Sequence, residues 1–406
     1  MARASFAHSC SIVMAASLAL AGLGRAQDFM PPDRPPPADY EVQGEYFGAI
    51  AEGGGNLGAW VIGQGGDKYN VVYLPGGLLE IPGQASGGWD KVTRIAGSGT
   101  AAALTTPNGY KAAIAGTGTD KTMTGTTNLG KAFTLKRVVR QSPTQGLAPK
   151  AEWNAAYWFH SNTQADLTKW TANPSAPQMR YGGYLFRGVT CTQNHATVFL
   201  HIEARSPYCP TCRDQDRGNS GIYLRGMHEM QVLDSFGLSG ANNEMGSIYR
   251  VQAPSVNAAL PPLTWQTYDC YYTPGAAPNS ATMTLYLNGV LVQNKTQVTG
   301  ITEAGFAGNS LYLQDHGHDV VYNNIWAVAN ATETSLPYSS LLPTTGIAAS
   351  GPAVPVPLRG PATGSALFRR SGSSAVLDAL GRELGIPDVE RLLRGDRVPS
   401  LPGKDQ

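Results

Sequence analysis

The stretch "GNSGIYLRGMHEMQVLDSFG" at 218–237 sets Asn219, Tyr223, Arg225, Glu229, Gln231 and Asp234 along one β-prone run. Carboxylates move protons, an arginine or amide donor steadies a developing oxyanion, and tyrosine and amide groups hold sugar hydroxyls. Side chains alternate along a strand, so Glu229 and Gln231 share a face, as do Tyr223 and Arg225. Asp234 falls out of phase unless a bulge re-aims it. A half-solvated strand would also tolerate these residues; the floor of a binding cleft explains their density better. A second concentration, "LYLQDHGHDVVYNNIW" at 311–326, places Gln314 and His316 on one face and Asp315 on the other. His316 is a candidate base because imidazole titrates near neutral pH, with a satisfied histidine at a strand end as the alternative.

Spacing tests the chemistry. Glu229 and Asp234 are five residues apart, so their Cα atoms lie roughly 16 Å apart in an extended strand. A two-carboxylate glycosidase needs about 5–9.5 Å between its carboxyl groups. This pair is therefore not expected to flank one glycosidic bond, which leaves Glu203 or Asp315 as candidates for a second carboxylate. In "HIEARSPY", His201, Glu203 and Arg205 share a face and either line the same cleft or form an ion pair. Trp265 is a candidate for stacking on a sugar ring, although a lone tryptophan more often belongs to a core. His316 and His318 lack a third ligand, and "CPTC" at 209–212 lacks a second such pair, so no metal and no cofactor are predicted.

The elements that must carry these residues read as all-β. Gly 48 and Pro 28, with a net charge of +1 and 15% charged residues, point to a turn-rich chain. They give no reason to expect nucleic acid or an acidic membrane surface. Residues 11–23 are apolar and the small residues Gly24 and Ala26 follow, which predicts a secretion signal cleaved near Ala26. That segment is too short to span a bilayer, so a soluble protein is expected, secreted, periplasmic or at the cell surface. A proline-rich, mobile lead-in is predicted over 27–39, a small β domain over 40–140, a linker over 141–152 and a jelly-roll domain over 153–335. Asn288 and Gly289, between two alternating runs, predict a type I′ hairpin turn. A Pro/Ser/Gly-rich tail follows over 336–406, with a short amphipathic helix expected over 373–384. Cys191, Cys209, Cys212 and Cys270 remain after the signal, and an even number in an oxidising compartment predicts disulfides in one of three pairings. Asn294 and Asn330 head glycosylation sequons that matter only in a eukaryotic host.

Taken together, "LHIEARSPY", "RGNSGIYLRGMHEMQVLDSFG", "GSIYR", "PSVNAALPPLTWQTYD", "LYLNGVLV" and "LYLQDHGHDVVYNNIW" resemble the 3-keto-disaccharide hydrolase domain, in order over about 151–330. The region before them is similar to a module that precedes this domain in some secreted bacterial members. The resemblance implies a concanavalin-like jelly roll acting on glycosides oxidised at C3, with a sugar dehydrogenase in the same pathway. A C3 ketone acidifies the proton at C2, so the aglycone leaves from C1 by elimination and two straddling carboxylates are not required. On that reading His316 or Glu229 takes the C2 proton, and Arg225 and Asn219 stabilise the enolate oxygen. Asp234 orients a partner or protonates the leaving group, while Gln231, Gln314 and Trp265 hold the sugar, with Tyr223 and Glu203 also lining the cleft. The sequence departs from relatives at Met245 and at Ala258 or Ala259, where they carry a cysteine pair, and at Asn323, where many carry Arg. A non-catalytic carbohydrate-binding module and a cell-surface assembly protein are the rival expectations.

Overall fold

Glycine-punctuated, β-branched runs become strands in a computed structural model that describes residues 27–342, apart from 32, 85, 86, 161 and 174, together with three short strands farther on. The expected signal segment 1–26 and most of the tail lie outside the described residues. Eight antiparallel strands, from Gly44–Ile50 to Ala132–Val138, close into a barrel in which the first strand pairs with both the second and the last. Its lumen is filled by an apolar cluster that includes Tyr46, Val61, Tyr73, Met123 and Leu135. Closure leaves no free edge on this small body.

The region beyond is a two-sheet sandwich, as the strand pattern predicts. One sheet runs in the order Trp170–Ala172, Val189–Asn194, Ser310–Leu313, Ser220–Leu224, His228–Val232. The other has eight strands, with Val198–Arg205 paired to Val321–Ala329 on one side and Gln266–Pro274 on the other. The hairpin between Ser280–Leu287 and Val290–Thr299 turns at Asn288 (φ 52°) and Gly289 (φ 83°), the double positive φ of the predicted turn. Ile202, Leu200, Ile222, Met230 and Leu313 meet in the sandwich core. Trp60, Ile62, Leu78 and Trp89 of the barrel region join the same cluster, so barrel and sandwich share buried surface. The Trp60 ring lies 6.2 Å from that of Phe236. Arg140 and Glu45 add a buried ion pair of 2.5 Å, with Arg140 also donating to the Leu79 carbonyl.

Three expectations need correction. The lead-in is docked: Phe29 and Tyr208 exchange backbone hydrogen bonds of 2.9 and 3.0 Å, and Met30 is buried. The linker is packed too, because Ser142 and Thr144 are buried against Thr267. Where a helix is expected over 373–384, residues Val376–Leu377 and Glu383–Leu384 pair as short antiparallel strands. The rest of that segment lies outside the described residues.

Candidate active site

The five-stranded sheet has one apolar and one polar face. Ile222, Leu224, Met230, Val232, Leu311 and Leu313 point into the core, so alternation sends Tyr223, Glu229, Gln231 and Tyr312 to the opposite side. Register sets Tyr223 across from Glu229 on one neighbour and Tyr312 on the other. Gly221 faces Gln231, and a Cβ there would stand 2.3 Å from Glu229 Oε1. The missing side chain is what lets the Glu229 carboxylate lie along the sheet. Gly221→Ala is therefore expected to fold, displace that carboxylate and lower turnover by about 10²-fold, read as kcat at unchanged thermal stability.

Glu229 is 2% exposed and its Oε2 accepts a 2.7 Å hydrogen bond from the Tyr223 hydroxyl. Tyr223 Oη also lies 2.8 Å from the Glu303 carbonyl and accepts from Gln314 Nε2 at 3.1 Å. Burial pushes the Glu229 carboxyl up to about 8; the Tyr223 hydrogen bond opposes this and the Glu303 charge adds to it. The one phenolic proton has two acceptors. With Glu229 ionised it points to the carboxylate; with Glu229 protonated, the acid donates to Tyr223 and Tyr223 donates to Glu303. Asn219 Oδ1 and Gln314 Oε1 are buried acceptors with no hydrogen-bond partner among the described residues, on this same side of the sheet.

The structure thus brings together Glu229, Tyr223, Gln231, Gln314 and Asn219 from the expected set. Asn219 and Gln231 meet at Gln215, whose Oε1 accepts from Gln231 Nε2 at 2.9 Å and whose carbonyl accepts from Asn219 Nδ2 at 2.9 Å. The remaining candidates are placed elsewhere. Asp234 lies beyond its strand in a buried ion pair with Arg217 at 3.0 Å, and its Oδ1 accepts from the Phe236 amide. Burial raises its carboxyl, with the Arg217 charge and the Phe236 amide opposing. His316 is exposed past the end of Ser310–Leu313, so strand alternation with Gln314 does not apply to it. Its neighbour His318 turns away and is buried on Asp28 at 3.2 Å.

Arg225 occupies the hairpin tip at φ 52°, out of phase with Tyr223, and its guanidinium donates to Asn309 Oδ1 at 3.1 and 2.5 Å. Trp265 packs edge-on against Tyr184 at 4.9 Å and under Arg205, in a small cluster with Met30 and Phe186. Trp265→Ala is expected to cost about 3–5 kcal/mol of folding stability and leave KM unchanged, measured by thermal melts beside steady-state kinetics. Glu203 lies on the outward face of the other sheet. It accepts from Gly146 N at 2.6 Å and Asn324 Nδ2 at 2.9 Å, beneath the packed linker. Asp315, the other second-carboxylate candidate, is exposed and paired with Arg187 at 3.1 Å. Asn323 faces Glu203 in the register of that far sheet.

Sequence reasoning missed four neighbours of Glu229. The Tyr312 ring packs at a tilt beside Tyr223 at 5.3 Å and beside the exposed Phe306 at 5.5 Å. Strand alternation from Gln314 could have found Tyr312; nothing in "EAGFAGNS" flags Phe306 or Glu303, and Gln215 sits in a loop. A hollow of about 650 Å³ opens beside Tyr312 and Asp315, and one of about 910 Å³ opens beside Gln215 and Asn243.

Two of the four cysteines behave as predicted. Cys209 and Cys212 are bonded to each other, whereas Cys191 and Cys270 are free and buried in the core. They lie on strands of different sheets, and burial pushes the Cys191 thiol up to about 11. Asp28 brings a carboxylate oxygen within 4.8 Å of both bonded sulfurs, but a disulfide offers no thiolate to a metal.

Residues 159–328 match the family described as the 3-keto-alpha-glucoside-1,2-lyase-like domain. No curated protein matches the chain. Among solved structures, a "putative glycosyl hydrolase" of Parabacteroides distasonis is 30% identical, with 45% of this chain and 85% of that one covered and a TM-score of 0.40. A second protein of the same description and organism is 17% identical over 45% of this chain and 99% of its own, with a TM-score of 0.35. Through its sandwich, at residues 159–328, the chain belongs to the 3-keto-alpha-glucoside-1,2-lyase-like domain family.

Proposed function

We propose that the sandwich cleaves glycosides oxidised at C3, with Glu229 taking the proton from C2. The observation that carries this reading is a buried carboxyl, raised to about 8, on a tyrosine–glutamine couple. A base titrating near the working pH is strong enough to attack an acidified C–H and is still available unprotonated. Glu229 removes H2, and the C2–H electron pair moves toward C3, leaving an enolate on O3. Tyr223 and Gln314 donate to that oxygen, Asn219 and Gln231 hold neighbouring hydroxyls, and Tyr312 with Phe306 offers a ring face. Collapse of the enolate forms the C1–C2 double bond and breaks C1–O; the aglycone oxygen takes a proton from water, the hydroxide left behind adds at C1, and Glu229, after exchanging its proton with solvent, returns one to C2.

Glu229 and Tyr223 sit beneath the segment that carries Glu303 and Phe306, which is tied to the hairpin by Phe306 N to Gly226 O at 2.7 Å and Thr302 N to Met227 O at 2.9 Å. Substrate must displace that segment to reach the carboxyl. An oxidising enzyme must supply the ketone. The test is incubation of the chain with 4-nitrophenyl 3-keto-α-glucoside beside the unoxidised glucoside. Release from the keto form alone is expected; release from both in equal measure would overturn the reading. Saturable binding with no release would favour a lectin, a reading the exposed Phe306–Tyr312 pair also suits.

A further inference from the structure

The barrel lies outside the matched residues 159–328, yet it holds a turn that leads back to the Glu229 strand. Arg94, just before the barrel strand Ile95–Thr100, donates to the Gly237 and Leu238 carbonyls at 2.6 and 2.7 Å. Its guanidinium lies 5.1 Å from the Trp60 ring, which in turn packs on Phe236. Gly237 has φ 76°, and a Cβ there would stand 2.5 Å from Ile62 Cδ1, so barrel wall and turn are in close contact. We propose that Arg94 is a positioning residue for sugar binding, holding through this turn the side-chain amides of Gln231 and Gln215 beside Glu229; this rests on the cleavage reading above.

The path from Arg94 to the sheet is short and braced. Glu244 closes the stretch after Leu238, accepting from the Gly240 amide at 2.5 Å and the Ser239 hydroxyl at 3.3 Å. The Asn243 carbonyl beside it accepts from Gln215 Nε2 at 2.9 Å and from Gln231 Nε2 at 3.3 Å. The chain then returns along the edge of the five-stranded sheet, where Gln231 N donates to Ser247 O at 3.1 Å and Gly246 N to Gln231 O at 3.2 Å. A carbonyl whose place depends on the barrel thus sets the orientation of both amides.

Which kinetic constant responds follows from the partners. Gln231 shares a strand face with Glu229 at a Cα separation of roughly 7 Å, and the Gln215 carbonyl fixes Asn219. These are the groups assigned to hold sugar hydroxyls. Glu229 instead takes its hydrogen bond from Tyr223, which accepts from Gln314, and neither partner belongs to the barrel-held turn. Arg94 therefore bears on binding and not on the base. Asn257 donates to the Ser235 and Leu238 carbonyls at 2.7 and 2.9 Å, so the sandwich keeps its own hold on the turn when Arg94 is changed.

In the full chain, Arg94→Met keeps an aliphatic stem over Trp60 and loses both donors. KM for 4-nitrophenyl 3-keto-α-glucoside is expected to rise about tenfold, with kcat within about twofold and the midpoint of the pH profile unmoved. Arg94→Lys restores one donor and is expected to recover part of the loss. Should Arg94→Met not fold, Ile62→Val loosens the same turn more gently and is expected to raise KM in the same direction. An unchanged KM, or a fall in kcat at unchanged KM, would overturn the assignment and leave Arg94 a fastener between barrel and sandwich. A wild type that releases nothing from the keto-glucoside sinks the cleavage reading, and the side-chain amide resonance of Gln231, assigned by its loss in Gln231→Glu, then judges Arg94 separately. A shift of that resonance in Arg94→Met, with the Gln314 resonance in place, supports the positioning role; a Gln231 resonance that does not move overturns it.

Discussion

Glu229→Gln loses at least about 10³-fold in kcat on a 3-keto-glycoside, with KM changed little. The amide keeps the shape and can still hydrogen-bond Tyr223, so positioning of the sugar survives while the base does not. The pH profile of the wild type carries the same signature. With the carboxyl raised to about 8 by burial, turnover rises with pH and levels off above that value. A rate that instead fell through pH 8 would make Glu229 the acid. Stability runs the other way. The folded carboxyl keeps a proton that the unfolded chain releases near 4.5, so its contribution is full below 4.5 and lost as pH rises toward 8. Glu229→Gln removes that loss, and its melting temperature at pH 8 should exceed that of the wild type, while the two converge near pH 4.5.

A stability effect as large as that of Trp265→Ala, and dependent on pH, is expected far from the Glu229 face. Asp269 is fully buried, with Oδ1 2.6 Å from His201 Nδ1, and its Oδ2 accepts from Thr144 at 2.7 Å and from Tyr338 at 3.0 Å. One carboxylate thus ties the outer face of a sheet to the linker and to the segment after the last sandwich strand. Asp269→Ala strips the buried His201 imidazolium of its carboxylate and orphans the Tyr338 hydroxyl, while Thr144 keeps Thr267 and Ser142, at a cost of about 3–5 kcal/mol in denaturant unfolding at pH 6. Burial opposes charge on His201, but the Asp269 carboxylate prevails and raises it to about 9. The stabilisation it confers is full below the ordinary histidine value of 6.5 and fades as pH rises through 9, so the variant's deficit should narrow by pH 10. Kinetic constants measured below its melting point should be those of the wild type.

How far the sequence revealed this arrangement depended on how local each signal was. Period-two alternation put Glu229 and Gln231 on one face, though it did not join Tyr223 to them across the hairpin, and the Asn288–Gly289 turn was readable because positive φ at both positions demands such residues. The same alternation failed for Arg225 and His316, since both lie just past a strand end where the chain turns. Glu203 was misplaced because composition cannot say which of two sheets owns a face: its strand is apolar inward on both readings. The packed linker and docked lead-in were hidden because Pro- and Ser-rich segments look mobile until long-range partners such as Thr267 and Tyr208 are known. Barrel closure, which pairs Gly44–Ile50 with Ala132–Val138, is likewise nonlocal.

The measurement that bears most directly on Glu229 as the base at C2 uses a 3-keto-α-glucoside carrying deuterium at that carbon. Loss of the label to solvent in step with aglycone release, and neither process in Glu229→Gln, is the predicted result. Aglycone released with deuterium retained at C2 would contradict it, because the C1–O bond would then break without the proton transfer on which the account rests.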